Sequence, residues 1–361
     1  MVLHNLMKRA IFYISGFDPR GDKFYKRVFK NELNKFSKNN NIEAVFSQTN
    51  NSEYKIKSNN ADSDLFLLSW IDIIQKIYQK SRLKTWYAAF VSFVIIISNK
   101  NALKNIIPYK YQSFFISLVF IDLIIYSCLL LIILVLLTKQ LYIYAMIMLV
   151  IASFIIFSYK RIIPKIIPDK IRIWVQGFIS LVYFSNKYQS DFIKNAQYQA
   201  SKIMQIIDAN NHNEYIIISH SAGGYPLIFI LHELPVEYFK KIKIITLGHC
   251  IPGYINLKHL QNYRDSLIPK LQQAKTIWLD IYSPADPVSS MLNTEKAFAN
   301  LGIISQNSKF FNMYDQDTYT KLKQNPLIIH FQYIMSGDIP NNTLNFYKIL
   351  TSTKPITNYD I

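Results

Sequence analysis

The stretch Glu214–Gly224, EYIIISHSAGG, decides how this chain folds, because a continuous apolar run stops abruptly in small and polar residues. The run from Tyr215 to Ile218 is typical of a strand that is buried on both faces of a parallel sheet. The two glycines and the apolar segment LIFIL that follows them predict a helix directly after the strand. The chain therefore has to turn sharply at Ser221, where only small neighbours fit.

Similar short apolar runs alternate with helical patterns on both sides of this stretch. Strand-like runs before it are RAIFYIS, IEAVFSQ and DLFLLSW, and those after it are IKIITLG and KTIWLDIYS. Residues 192–207 repeat apolar side chains three and four positions apart, which predicts an amphipathic helix. This alternation predicts an α/β fold with a doubly wound, mostly parallel sheet. With 361 residues the chain is long enough to bury a large core.

Two long apolar runs interrupt the alternation. Residues 113–137 and 141–159 are 25 and 19 residues long, and the only charged residue within them is Asp122. As helices, both are long enough to cross a hydrocarbon layer about 30 Å thick. They predict a transmembrane helical hairpin inserted into the α/β domain. Asp122 is interpreted either as a polar contact between the two helices or as a group near the membrane interface.

A third apolar run, Trp86 to Ser98, is short for a full membrane span and is interpreted as interfacial or re-entrant. The chain then divides into residues 1–85, a membrane insertion at 86–170, and residues 171–361. The two outer parts carry strands that are expected to form one sheet, so an even number of spans is required.

Basic residues set the expected orientation of the hairpin. Those that flank it are Lys100, Lys104, Lys110, Lys160, Arg161, Lys165 and Lys170, whereas Lys139 stands alone in the turn. Positive flanks favour the cytoplasmic side. We expect an integral membrane protein, of the kind found in the bacterial inner membrane, with the α/β domain in the cytoplasm.

The residues around Ser221 have the pattern of a nucleophile elbow. Ser219 stands two positions before Ser221 and Gly223 two positions after it, and small residues are needed there to clear a strained strand-to-helix turn. The segment Ser-His-Ser-Ala-Gly resembles the small-His-Ser-x-Gly version of this motif in the α/β-hydrolase family. The resemblance implies that Ser221 is a nucleophile and that the Ala222 amide helps to stabilise an oxyanion. His220 is expected to pack beside the elbow without a catalytic role.

The family resemblance also implies a triad in the chain order nucleophile, acid, histidine. Of the seven histidines, only His330 follows far enough toward the C-terminus, after the strand-like run PLII. A structural histidine that caps a helix is the alternative for this position. Asp286, in a proline-containing turn after a strand, is the preferred acid. The other candidates for the acid are Asp280, Asp315 and Asp317.

A second oxyanion donor is expected in the loop after the first strand, YISGFDPRG. By analogy with the family, Gly16 permits the turn and the Phe17 amide is the donor, although Ser15-Gly16 replaces the usual His-Gly pair. Asp18 and Arg20 are interpreted as an ion pair that braces this loop. The alternative is that Arg20 binds an acidic group of the substrate.

Composition narrows the functional classes. The net charge is +17, but lysines are scattered along the chain and are densest beside the apolar runs, which favours a membrane over nucleic acid. Two cysteines, no phosphate-binding glycine loop and no metal-ligand spacing predict neither a disulfide framework nor a cofactor or metal.

Together these patterns predict a membrane-anchored serine esterase, similar to a lipase, that cleaves an acyl ester or thioester, with a lipid as one candidate substrate. A non-catalytic membrane scaffold with the same fold and an acyltransferase that uses the same triad are the alternatives. A channel formed by the hairpin ranks below both, because two helices are too few for a pore. The oligomeric state is not predicted.

Overall fold

The protein is a mixed α/β structure built on one eight-stranded, mostly parallel sheet with helices on both faces. The computed structural model describes residues 6–50, 52–100, 127–153, 180–340 and 345–356.

The strands, in chain order, are β1 (Met7–Ile14), β2 (Ala44–Asn50), β3 (Glu53–Ser58), β4 (Ala61–Leu67), β5 (Glu214–His220), β6 (Ile242–Leu247), β7 (Trp278–Tyr282) and β8 (Ile304–Asn307). The helices with both ends described are α1 (Gly21–Asn40), α2 (Ile71–Tyr78), α3 (Arg82–Ser98), α4 (Gln189–Asp208), α5 (Gly224–Glu233), α6 (Val236–Phe239), α7 (Ile251–Tyr254), α8 (Gln261–Ala274), α9 (Gln316–Lys323), α10 (Pro326–His330) and α11 (Phe346–Thr351).

The strand order across the sheet is β2-β3-β4-β1-β5-β6-β7-β8. All pairs from β4 to β8 are parallel, whereas β2, β3 and β4 form an antiparallel edge. From β1 the chain first adds strands on one side, and from β5 it adds strands on the other. The direction therefore reverses between β1 and β5, and such a switch point opens a crevice at the carboxyl ends of the two strands.

The two parts of the chain on either side of the insertion share this sheet. Strand β1 pairs with β5 from Arg9–Glu214 to Ile14–Ser219. The guanidinium of Arg9 also donates to the Glu214 carboxylate at 2.6 Å, in a fully buried ion pair at the start of both strands. The loops after β1 and β5 are thus held side by side, although about 200 residues separate them in sequence.

Burial on both faces explains the apolar sequence of the central strands. Every residue of β5 is buried. One apolar core, which includes Phe192, Ile203 and Phe229, lies under α4 and α5, and a second, which includes Phe29 and Leu33, lies under α1. The α/β class and the mostly parallel sheet predicted from the sequence are confirmed.

Three elements differ from the sequence-based prediction. Strands β3 and β8 were not predicted, because EYKIKS is largely polar and ISQN is only four residues long. The run PLII before His330 was predicted to be strand-like, and this was wrong: it forms helix α10. Pro326 favours the first helical turn, and the Asn325 side chain caps it by accepting hydrogen bonds from the amides of Leu327 and Ile328.

The predicted hairpin lies partly outside the described residues, which include neither 113–126 nor 154–159. The described portion contains two helical segments, 127–138 and 142–153, joined by a tight turn. Within the described ranges, no helix combines the length and the apolar character needed to cross a bilayer. The inserted transmembrane hairpin therefore stays a prediction. Helix α3 contains the run Trp86 to Ser98 and packs with one face against the protein core.

Candidate active site

The turn at Ser221 has the geometry that its sequence predicts. Strand β5 ends at His220, a single 3-10 turn covers Ser221–Gly223, and α5 begins at Gly224. Ser221 adopts a φ of 58°, a left-handed conformation that costs a residue with a side chain about 1–3 kcal/mol. The surrounding sheet and helix hold Ser221 in this conformation.

Two glycines make the close packing around Ser221 possible. A Cβ atom on Gly223 would lie 2.6 Å from the carbonyl oxygen of Ile14 and 2.7 Å from that of Ser15, so no larger residue fits without separating the elbow from β1. A Cβ on Gly16 would lie 3.0 Å from the Cβ of Ser221. The loop after β1 therefore lies directly against the residue at the tip of the elbow. Ser219, the other small neighbour, is fully buried between its partners on β1 and β6.

Ser221, His330 and Asp286 form one continuous hydrogen-bond chain. The Ser221 hydroxyl lies 2.6 Å from Nε2 of His330, and Nδ1 of the same ring lies 2.8 Å from Oδ2 of Asp286. A neutral imidazole that is protonated on Nδ1 donates to the carboxylate and accepts the serine proton on Nε2. Each of the three residues is at most 4% exposed, so their hydrogen bonds are shielded from bulk water.

The turn after β7 fixes the carboxylate of Asp286. The backbone amide of Asp286 donates to the Ser283 carbonyl at 3.1 Å, and Oδ1 of Asp286 accepts a hydrogen bond from the Val288 amide at 3.0 Å. This leaves Oδ2 for His330. Both oxygens of the carboxylate therefore have a partner, which holds the group in one orientation.

The alternative acids have other roles in the structure. Asp280 is fully buried, and its carboxylate accepts hydrogen bonds from the His249 ring, the Ser305 hydroxyl and the Leu292 amide. Asp315 is exposed and caps the first turn of α9 through the Thr318 amide. Asp317 is exposed in that same turn. Of the four candidates, Asp286 is the one that is hydrogen-bonded to His330.

His220 holds the backbone of His330 in place. Its Nε2 lies 3.1 Å from the His330 carbonyl oxygen, and the two rings stack with their centroids 5.1 Å apart. Burial, together with the neighbouring His330 ring, lowers the pKa of His220 to about 3. His220 is therefore neutral at physiological pH and donates from Nε2. The sequence-based prediction assigned it to packing beside the elbow, which agrees with its position, but it did not identify this hydrogen bond.

The loop expected to supply the second oxyanion donor is anchored from β4. The indole of Trp70 donates to the Ser15 carbonyl at 2.8 Å, and its ring lies 6.2 Å from that of Phe17, centroid to centroid. Phe17 is buried, and its amide donates to no acceptor among the described residues. Sequence reasoning missed Trp70, although its place at the end of DLFLLSW, a strand parallel to β1, was a usable signal.

Asp18 and Arg20 form the ion pair that was expected to brace this loop. Their side chains approach to 2.5 Å, and the Arg20 amide also donates to the Asp18 carboxylate at 3.0 Å. The guanidinium lies over the Phe24 ring at 3.5 Å. With its charge paired and its plane stacked, Arg20 fits the bracing interpretation better than substrate binding.

Other reactive groups near the triad have no evident chemical role. Cys250 is buried, and both burial and the charge of Asp286 raise the pKa of its thiol, so it stays protonated at neutral pH. Among the described residues, no three His, Cys, Asp or Glu side chains cluster in a way that could hold a metal ion. The site as described is organised around a serine, a histidine and a carboxylate.

No family model matches this chain, and a search of curated proteins finds no match either. The chemistry of the site therefore has to be argued from its own geometry.

Proposed function

We propose that this protein is a serine hydrolase of the α/β-hydrolase type that cleaves acyl esters or thioesters. The observation that carries the proposal is the buried chain from the Ser221 hydroxyl through His330 to Asp286, with contacts of 2.6 and 2.8 Å. A hydroxyl within hydrogen-bond reach of an imidazole that is itself oriented by a carboxylate is the arrangement that activates serine as a nucleophile.

The first half of the reaction forms an acyl-enzyme. The Ser221 oxygen attacks the acyl carbonyl carbon while Nε2 of His330 takes its proton, and Asp286 stabilises the imidazolium that results. The carbonyl oxygen becomes an oxyanion, for which the amides of Ala222 and Phe17 are the proposed donors. When the intermediate collapses, the bond to the leaving group breaks and the leaving alcohol or thiol takes the proton from His330.

The second half of the reaction regenerates the serine. A water molecule gives a proton to His330 and attacks the acyl carbon, and the intermediate then releases a carboxylic acid as Ser221 recovers its proton. Every proton that is taken up is returned within the cycle, so the residues of the site are sufficient for hydrolysis.

The topology supports this proposal independently of the hydrogen bonds. The nucleophile follows β5, the acid follows β7 and the histidine follows β8, which is the chain order of the family's triad. The loop with the proposed donor follows β1, which is the direct neighbour of β5. Because these strands are parallel, their carboxyl ends meet at one edge of the sheet, beside the switch point.

We further propose that the segment between Trp86 and Lys170 attaches this hydrolase to a membrane, with the α/β domain on the cytoplasmic side. The described helices at 127–138 and 142–153 leave large apolar side chains exposed, for example Leu131 at 62% and Val150 at 69%. Such a concentration is costly in water and is expected for a surface that contacts lipid. The basic flanks of the segment support the orientation.

The proposal is tested by steady-state and burst kinetics on p-nitrophenyl esters of increasing chain length. The purified full chain in detergent should release a burst of p-nitrophenol close to one equivalent, followed by slower turnover. Ser221→Ala and His330→Ala should lose both phases while they keep the wild-type circular dichroism spectrum. Turnover that survives in Ser221→Ala would overturn the assignment of the nucleophile.

A further inference from the structure

Helix α3 has two faces that are both apolar. Its inner face packs against the helical segment 180–187 and belongs to the apolar core under α4 and α5. The buried residues on that face are Ala88, Ala89, Ser92, Phe93 and Ile96. Because this face is covered by protein, α3 fits the interfacial interpretation of this run better than the re-entrant one. The segment is held on the outside of the α/β domain.

The outer face of α3 carries a continuous apolar stripe. Tyr87, Phe90, Val94 and Ile97 are 54%, 38%, 41% and 42% exposed, and their spacing of three and four residues aligns them along the helix. Every exposed side chain between Tyr87 and Ile97 is apolar. We refer to these four residues as the α3 stripe. A soluble surface helix normally presents charged residues in these positions.

Helix α3 is attached near the edge of the sheet where the triad lies. The Asn99 side chain, directly after α3, donates to the Asn256 carbonyl at 2.8 Å, and Asn256 follows the carboxyl end of β6. Ser92 on the inner face accepts a hydrogen bond from the Tyr183 amide at 2.9 Å. Both contacts attach α3 to elements near the carboxyl ends of the strands.

The segment on the other side of the insertion is attached at the same edge. The hydroxyl of Tyr225, four residues after Ser221, lies 2.5 Å from that of Ser185. Asn99 before the predicted hairpin and Ser185 after it are therefore both attached to the α/β domain near the carboxyl ends of the strands. The exposed apolar helices at 127–138 and 142–153 lie between these two attachment points in the sequence.

The charge around the α3 stripe favours an anionic surface. Lys84 at the start of α3, Lys100 after its end and Lys187 on the adjacent segment are all exposed. A helix with an apolar stripe and lysines at its borders suits the boundary between lipid head groups and acyl chains, where the stripe is buried about 5–10 Å deep. The exposed apolar side chains of the helices at 127–138 and 142–153, which follow α3 in the sequence, favour the same occupant.

We infer that the α3 stripe rests on an anionic lipid bilayer and turns the triad edge of the sheet toward it, so that the acyl ester hydrolysed is a membrane lipid that reaches Ser221 from that surface. This inference rests on the proposed function for its substrate half. The contact between α3 and lipid can be measured without turnover, because it depends only on how the protein is oriented on the membrane.

The contact is tested by fluorescence quenching. A single cysteine is introduced at Val94 and labelled with a bimane fluorophore in a Cys128→Ser background, where Cys250 stays buried and unreactive. In vesicles of phosphatidylcholine and phosphatidylglycerol, lipids spin-labelled near the head group should quench the Val94 label strongly. The matched control is a cysteine at Val45, which is 66% exposed on edge strand β2 and should not be quenched. Equal quenching at both positions, or none at Val94, would overturn the contact.

The substrate is tested with a charge-reversal pair. Phe90→Glu/Val94→Glu should reduce hydrolysis of a fluorogenic diacyl phospholipid in vesicles about tenfold, because two charges oppose burial of the α3 stripe. Hydrolysis of soluble p-nitrophenyl acetate should stay unchanged. The matched control Val45→Glu/Phe311→Glu alters exposed residues of the same types elsewhere and should leave both activities at the wild-type level.

The outcomes separate the two proposals. Wild-type protein that hydrolyses p-nitrophenyl acetate but not the vesicle phospholipid would overturn the substrate half of the inference and leave the proposed hydrolase standing. Failure on both substrates would overturn the proposed function, and with it the substrate half of the inference. Disulfide cross-linking of the unlabelled Val94 cysteine between two copies of the chain would overturn the contact with lipid, because a dimer would then cover the α3 stripe.

Discussion

Replacing Gly223 by alanine should separate the elbow from the loop after β1. The new Cβ would stand 2.6 Å from the Ile14 carbonyl oxygen, and ordinary contact begins at 3.4 Å, so the two backbones must move apart by about 0.8 Å. Both atoms that obstruct the methyl group belong to the backbone at the end of β1. Because this strand is paired on both sides, no side-chain rotation can relieve the clash.

The displacement has two expected consequences. Overpacking at a buried position typically lowers the free energy of unfolding by about 1–3 kcal/mol. The movement also carries the loop with Gly16 and Phe17 away from Ser221, and a shift near 1 Å in a catalytic constellation can reduce the rate about 100-fold. The loss of reactivity should therefore exceed what the loss of stability explains.

The assay is the second-order rate of inactivation by a fluorophosphonate, measured beside urea unfolding. Gly224→Ala is the matched control. Its Cβ would meet Cγ1 of Ile251 and the hydroxyl of Tyr254, both at 2.9 Å. These atoms belong to side chains and not to the backbone of the β1 loop, so Gly224→Ala should leave that loop in place and keep the inactivation rate within a few-fold. A wild-type rate in Gly223→Ala would refute the argument that the β1 loop must lie against the nucleophile.

Three further predictions concern the acid, the buried histidine and the topology. Asp286→Asn should lower turnover by about 10⁴-fold, since the wrong imidazole tautomer is favoured, whereas Asp315→Asn should leave it unchanged; the reverse result would mean that the acid is misassigned. The pKa of His220 is about 3 in the folded protein and near 6.5 when unfolded, so as pH falls from 6.5 the unfolded state takes up the proton and stability decreases by about 1.4 kcal/mol per pH unit. Urea unfolding at pH 7 and 5 should show a shallower decrease for His220→Gln, and an unchanged slope would contradict this cause. A cysteine at Lys139 in the Cys128→Ser background should react with an impermeant maleimide outside intact cells and one at Thr49 should not, while the opposite pattern would mean that the hairpin is inverted.

The parts of the fold that the sequence predicted are those with a strong periodic signal. Strands β1, β5, β6 and β7 are apolar because they are buried on both faces, and that pattern is visible without tertiary context. Strand β3 lies between β2 and β4 and buries only Tyr54 and Ile56, and two apolar residues are too few for a clear period-two pattern. Strand β8 is too short to carry a periodic pattern.

The candidate site was predictable to the extent that its residues follow strands directly. Ser221 and Asp286 were found because each comes after a buried strand in a turn. The position of His330 was found, but its helix was not, because three apolar residues after proline fit a strand and a helix equally well and only the Asn325 cap distinguishes them. The hydrogen bonds from Trp70 and His220 join residues 55 and 110 positions apart, and no local pattern encodes such contacts.

The central claim is that Ser221 is an activated nucleophile, and identifying the residue that a fluorophosphonate modifies tests it most directly. The full chain in detergent is labelled, digested and analysed by mass spectrometry, beside Ser221→Ala and a sample unfolded in urea before labelling. We expect one adduct, on the peptide that contains Ser221, in the folded wild type and none in the other two samples. An adduct on a different residue, or equal labelling of the folded wild type and Ser221→Ala, would contradict the claim.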